Sequence, residues 1–340
     1  MAPAPAVRSL YFNVPSTGDA TWALSYVDLS LAASAINRRF MRQGLNWAVA
    51  GFTFFNESVN QGSVRISKLP DSWSLCNAWV KSFNLWREMQ DQVAEENESL
   101  RARYNDFKIY ADRTMVDADI QSSYYAQDGE ILMPVSGPGG TGLPQYVLKY
   151  GDWDYSDITI PNDPAAGGAP TDYALHMIGP DVAPGPGQSK GILLGYGNSR
   201  ARPADIDPNR TDVVGWMTSL FDVGEQLDEV QENFSDENDE PPYRVGAADP
   251  ADVTHDKVYI PGASENLPSM AIHSALAFTA TTISSKQQIG GTNALCGLLR
   301  IDSQGFDLST TESSSNLFMQ IHLVPGRHRG YMCQTMQDVN

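Results

Sequence analysis

Cysteine is scarce in this chain. Its three residues, Cys76, Cys296 and Cys333, stand far apart with no CxxC pair, which excludes a disulfide framework and a thiolate zinc knuckle. They read as free thiols. Histidine is nearly as rare, with five residues and neither HxxxH nor HExxH among them, so a histidine metal site would have to be assembled entirely by the fold. There is no GxSxG elbow, and no spacing of His, Asp and Ser predicts a triad, so no enzyme chemistry is expected. Positive charge is short too: 23 Lys and Arg stand against 41 Asp and Glu, a formal net charge of -18. That balance argues against a surface built mainly to clamp phosphates. Long apolar runs are missing. The longest uncharged stretch, Asn266 to Ser285, is broken by Pro268, His273 and several Ser and Thr, too polar for a membrane span. Met1 to Leu10 has one Arg and no apolar core of a secretory signal, so a soluble protein made in the cytoplasm and not secreted is the expectation.

What remains is a globular composition rich in turns. Of 340 residues, 28 are Gly and 21 Pro, with 41% hydrophobic and 10% aromatic residues, which excludes a wholly disordered chain and tilts the class toward β. Ser9 to Val14 (SLYFNV), Leu45 to Phe55 (LNWAVAGFTFF) and Ser63 to Leu69 (SVRISKL) have strand composition. Between them, Leu29, Ala32, Ala33, Ile36 and Phe40 recur at helical spacing, and a short helix is predicted from Asp28 to Gly44. A clearer helix follows Pro70, with Cys76, Trp79, Val80, Phe83, Trp86, Met89 and Val93 on one stripe. Asp106 to Tyr110 is extended.

From Pro134 to Pro203 turn formers dominate, and the short runs Tyr146 to Lys149, Ile158 to Ile160, Leu175 to Ile178 and Ile192 to Tyr196 read as strands between long loops. A second amphipathic helix is predicted over about Asp212 to Phe234. Val258 to Ile260, Ser269 to Ser284, Ala294 to Ile301 and Leu317 to Val324 are strand-like again, and Pro325 to Asn340 reads as a tail. No repeat and no composition shift divides the chain, so residues 1–340 are expected to form one domain.

Four groups of residues are candidate sites. GPGQSKG at 185 to 191 contains the residues of a phosphate loop in the wrong order, with Lys190 before Gly191 and two prolines removing donors. Asp152, Asp154 and Asp157 form an oxygen cluster able to hold calcium if the loop folds inward, while Asp236, Glu237, Asp239 and Glu240 read as a solvated charge run. Arg38, Arg39 and Arg42 gather at a helix end, where cations complement the dipole. Arg327, His328 and Arg329 form a second basic group near the C-terminus. If the two groups met on one face they would contact a nucleic acid backbone despite the global charge.

Residues 36 to 55 (INRRFMRQGLNWAVAGFTFF), 62 to 89 (GSVRISKLPDSWSLCNAWVKSFNLWREM) and 106 to 112 (DFKIYAD) resemble coat proteins of small circular single-stranded DNA viruses known mainly from environmental sequences. The resemblance covers residues 1–120 and continues beyond them only in style, as β runs between variable loops. It implies an all-β fold, an antiparallel jelly-roll sandwich with two inserted helices and long loops, or alternatively a double jelly roll. It also implies a virion protein whose partners are copies of itself in an icosahedral shell around single-stranded DNA. Trp79, Phe83, Trp86 and Trp216 are then candidate subunit-interface anchors. No cofactor is expected beyond calcium between subunits, held by the Asp152 group. The basic N-terminal arm of many such proteins is absent from MAPAPAVRSL. A β-sandwich module recognising carbohydrate or a receptor through Trp and Tyr of residues 146–160 is the alternative.

Overall fold

The computed structural model describes residues 6–15, 22–56, 61–96, 106–121, 131–135, 153–163, 166–201, 270–279, 286–305 and 317–339. The chain divides into two compact units. Met1–Leu69, Thr114–Asp154 and Met270–Val339 make the first, and Pro70–Arg113 with Tyr155–Ser269 the second. Antiparallel strands predominate over helices, which is the β class the composition predicts.

The first unit holds two sheets. The six-stranded sheet runs in the order β11 (Lys286–Ala294), β3 (Leu45–Asn56), β13 (Leu317–Leu323), β1 (Ser9–Val14) and β6 (Pro134–Val135), with β16 (Cys333–Thr335) also on β3. The four-stranded sheet runs β10 (Ala271–Phe278), β4 (Gly62–Lys68), β12 (Leu298–Gln304) and β2 (Ala23–Asp28). Alternation places Leu10, Phe12 and Val14 of β1, Val64 and Ile66 of β4, Leu299 and Ile301 of β12, and Met319 and Ile321 of β13 in one shared core. Each such side chain contributes about 1.5–3 kcal/mol by leaving water. In β3 the pattern needs a repair, because Trp47 and Val49 point inward and so do Phe52 and Phe54. A register shift opposite His322 and Leu323 supplies the extra residue, so both halves of the strand face the core.

Helix α1 (Leu29–Asn37) follows β2 directly and is shorter than the predicted Asp28 to Gly44. Arg38 adopts a left-handed conformation (φ 52°) with its N–H on the Ser34 carbonyl, which ends the helix there. Residues 325–339 are not a loose tail. They hold the small hairpin β14 (Pro325–Gly326) and β15 (Gly330–Tyr331), then β16.

The second unit is built on a sheet of β5 (Tyr110–Asp112), β8 (Ala169–Ile178), β7 (Asp157–Asp163) and β9 (Ser189–Gly191). β5 and β9 run parallel to β8, while β7 pairs antiparallel. Helix α2 (Trp73–Glu96) matches the stripe predicted after Pro70. Helix α3 (Arg113–Gln121) starts at the division between the units. Ile192 to Tyr196 is the first half of helix α4 (Ile192–Ala201), not a strand. A short apolar run carries no period that separates a buried helix turn from a strand. The predicted elements at Tyr146 to Lys149, Asp212 to Phe234 and Val258 to Ile260 lie outside the described residues.

Candidate nucleic-acid interface

The end of α1 is tied to both ends of the chain. Asp28 caps the helix, its carboxylate accepting from the N–H groups of Ser30 (2.9 Å) and Leu31 (3.1 Å) and, at its other oxygen, from the Gln43 amide (3.0 Å). The loop from Arg38 to Gln43 is thereby folded back along the helix, with the Met41 N–H on Ser34 Oγ at 2.7 Å. Asn37 donates to the Ala33 carbonyl and to the Tyr331 hydroxyl, both at 2.7 Å, and accepts from the Val7 N–H at 3.1 Å. The Tyr331 hydroxyl in turn donates to the Val7 carbonyl at 2.6 Å. Tyr331 is fully buried against Trp47, ring centroids 5.3 Å apart. Burial pushes its phenol above the ordinary range. Beside them Gly297 holds φ +72°, and a Cβ there would sit 3.1 Å from the Trp47 ring.

This scaffold brings the two basic groups of the sequence together. Arg327, His328 and Arg329 occupy the loop of the β14–β15 hairpin, and the Arg329 guanidinium donates to the carbonyl of Phe40, between Arg39 and Arg42. Arg38, Arg39, Arg42, Arg327 and Arg329 are all exposed, as is Arg8 at the start of β1. Among the described residues no carboxylate pairs with Arg38, Arg39, Arg327 or Arg329. Burial, with Arg329 adding to it, lowers the His328 pKa, so near neutral pH the guanidinium groups carry the charge. Planar forks of fixed charge suit phosphate oxygens.

The other candidates fall elsewhere. Trp79, Phe83 and Trp86 form an intramolecular stack around Phe107, with centroids 5.7, 5.7 and 5.5 Å from it, which accounts for much of the apolar bulk of α2. Trp216 and Asp152 lie outside the described residues, as do the acidic residues 236–240. Asp154 and Asp157 are exposed, and among the described residues no group of carboxylate, histidine and thiol side chains is arranged to hold a metal. Trp153 is buried on Phe40, and Tyr155, half-buried, stacks on Tyr110 at 4.0 Å. The 185–191 loop is not a phosphate cradle. The Asp181 carboxylate already accepts from the Gly191 N–H (2.8 Å) and pairs with Lys190 (3.4 Å), whose ammonium lies 4.7 Å from the Tyr173 ring centre.

Sequence reasoning missed two buried polar sites. On the four-stranded sheet, Asp302 is fully buried between Arg65 (2.6 Å) and Arg300 (2.9 Å). In the second unit His176 is fully buried on β8 beside the backbone of Gly179 and Pro180. Burial depresses its pKa below the usual 6.5, against the opposing pull of Asp181 and Asp112. No described helix is long and apolar enough to cross a membrane. Compared with protein-family models, curated proteins and solved structures, the chain matches none.

Proposed function

We propose that this chain is a coat-protein subunit with a jelly-roll core that self-assembles into an icosahedral shell around single-stranded DNA. Strand order carries the reading. Numbering the eight long strands of the first unit in chain order, one sheet reads sixth, third, eighth, first and the other fifth, fourth, seventh, second. That interleaving is the connectivity of two Greek keys folded into a double sheet. The second unit is inserted between the fourth and fifth of these strands, and its parallel pairings favour one barrel with an insertion over two barrels. Such a subunit works by association rather than catalysis: each contact buries apolar surface and symmetry repeats it until the shell closes. The joined Arg38, Arg39, Arg42, Arg327 and Arg329 would neutralise phosphates.

Light scattering and electron microscopy of the purified full chain test the reading. Closed particles of megadalton mass, with co-purified DNA protected from nuclease, are expected. A monomer or small oligomer under all assembly conditions overturns it.

A further inference from the structure

The outward face of the six-stranded sheet is chemically unlike the rest of the chain. Its six strands contain no Asp or Glu, although 41 of 340 residues are acidic. Register places the outward residues in rows. Tyr11 stands opposite Gln320, Gln320 opposite Thr53, and Thr53 opposite Gln288. In the next row Ser9, His322, Gly51 and Gly290 follow one another. The Gln320 amide donates to the Tyr11 hydroxyl at 3.0 Å, and His322 sits 3.1 Å from Thr53 Oγ1. At one edge the Lys286 ammonium lies 5.7 Å from the centre of the Phe55 ring. Tyr11, Phe55, Gln320 and His322 are half-buried, and Lys286 and Gln288 exposed.

Gly290 supplies an independent observation. Its φ is not in the left-handed region, and a Cβ built on it meets nothing within 4 Å, so neither backbone strain nor crowding requires glycine there. A glycine inside a strand without such a reason leaves open the side where a side chain would stand, as close approach by a ligand needs, while the Gly290 carbonyl meets the His273 imidazole at 3.2 Å.

We infer that this face is a platform for the bases of single-stranded nucleic acid, which stack on Tyr11 and Phe55, hydrogen-bond to Gln288 and Gln320, and lie flat over Gly290. Charge complementarity selects the occupant: in a chain of net charge -18, strands free of Asp and Glu that carry Lys286 and follow Arg8 suit an anion. Aromatic rings and amides meet bases that duplex DNA keeps inside its stack. The inference rests on the proposed function only for the identity of the strand as DNA.

Fluorescence anisotropy with a labelled thymidine 30-mer, a duplex of equal length and the full-length protein tests it, alongside light scattering for particle formation. The single strand should bind more tightly than the duplex. The double variant Gln288→Glu with Gln320→Glu, nearly isosteric, should weaken the single strand about tenfold or more. Gly290→Val should weaken it severalfold while leaving the melting temperature unchanged or raised, whereas a glycine needed by the fold would lower it. Equal affinity for both DNA forms, or binding unchanged in both variants, overturns the inference, as does loss of particles in these variants with thymidine binding intact, which would assign the face to a second copy. Binding that follows the predicted pattern in a chain that never forms particles sinks the shell and leaves the platform standing.

Discussion

The two units bury different kinds of ionisable group. In the first, buried carboxylates meet cations or N–H donors: Asp302 lies between two guanidinium groups, and Asp28 accepts two backbone N–H groups and an amide. In the second, an imidazole is as deeply buried, that of His176, beside the backbone of Gly179 and Pro180 and within reach of the Asp181 and Asp112 charges. A buried imidazole stays neutral only until the solution supplies protons. The most deeply buried of the described histidines, and with it the larger acid sensitivity, therefore belongs to the second unit.

The contrast is broken most directly at Asp302. Asp302→Ala leaves Arg65 and Arg300 facing each other without a counter-charge and should cost about 3–5 kcal/mol, read by denaturant unfolding of the first unit. A loss below ~1 kcal/mol would mean the cluster is solvated in practice. Asp28→Ala removes a cap and strands the Gln43 amide, for an expected loss of about 1–2 kcal/mol. This variant should also loosen the 38–43 loop, seen as faster proteolysis after Arg38 or Arg39. His176 gives the next effect, and its sign follows from linkage. Its folded pKa lies below the unfolded value of 6.5, so from that pH downward the unfolded chain takes up a proton that the folded chain refuses, and stability falls as pH falls. His176→Leu should flatten the fall in melting temperature between neutral and mildly acid solution without harming stability at pH 8. An unchanged acid profile would remove the contrast. His322 should show the smallest effect: burial and Lys286 lower its pKa as well, but it sits at the surface, and His322→Gln should alter the acid profile less than His176→Leu does.

The sheets were legible where their strands are strongly apolar. SLYFNV, LNWAVAGFTFF, SVRISKL and the strand from Leu317 announce themselves because branched and aromatic residues fill alternate inward positions. β11 did not, because KQQIGGTNA is an edge strand with Ile289 as its one large inward side chain. β2 was missed because Tyr26 is buried on the side away from the core, so its apolar residues do not alternate. The basic groups were visible as residues, yet their meeting was not. Arg329 reaches Phe40 across 289 positions, and only the return of the last strands beside the first makes that contact. Arg65 and Asp302, 237 positions apart, were hidden for the same reason. His176 carries no local signal, since burial of a single histidine is decided by what packs over it.

β1 also sets a timetable for synthesis. Ser9 and His322 face each other in the sheet although 313 positions separate them. At ~5–20 residues per second a ribosome takes roughly 15–60 s to deliver the second partner after the first. Until then an aromatic ribbon waits with an unpaired edge, and the long loop that must close makes this a slow step. The β1–β13 pair therefore cannot form before residue 323 has been made, and in the assembly proposed above that delay would hold back chains that are still incomplete.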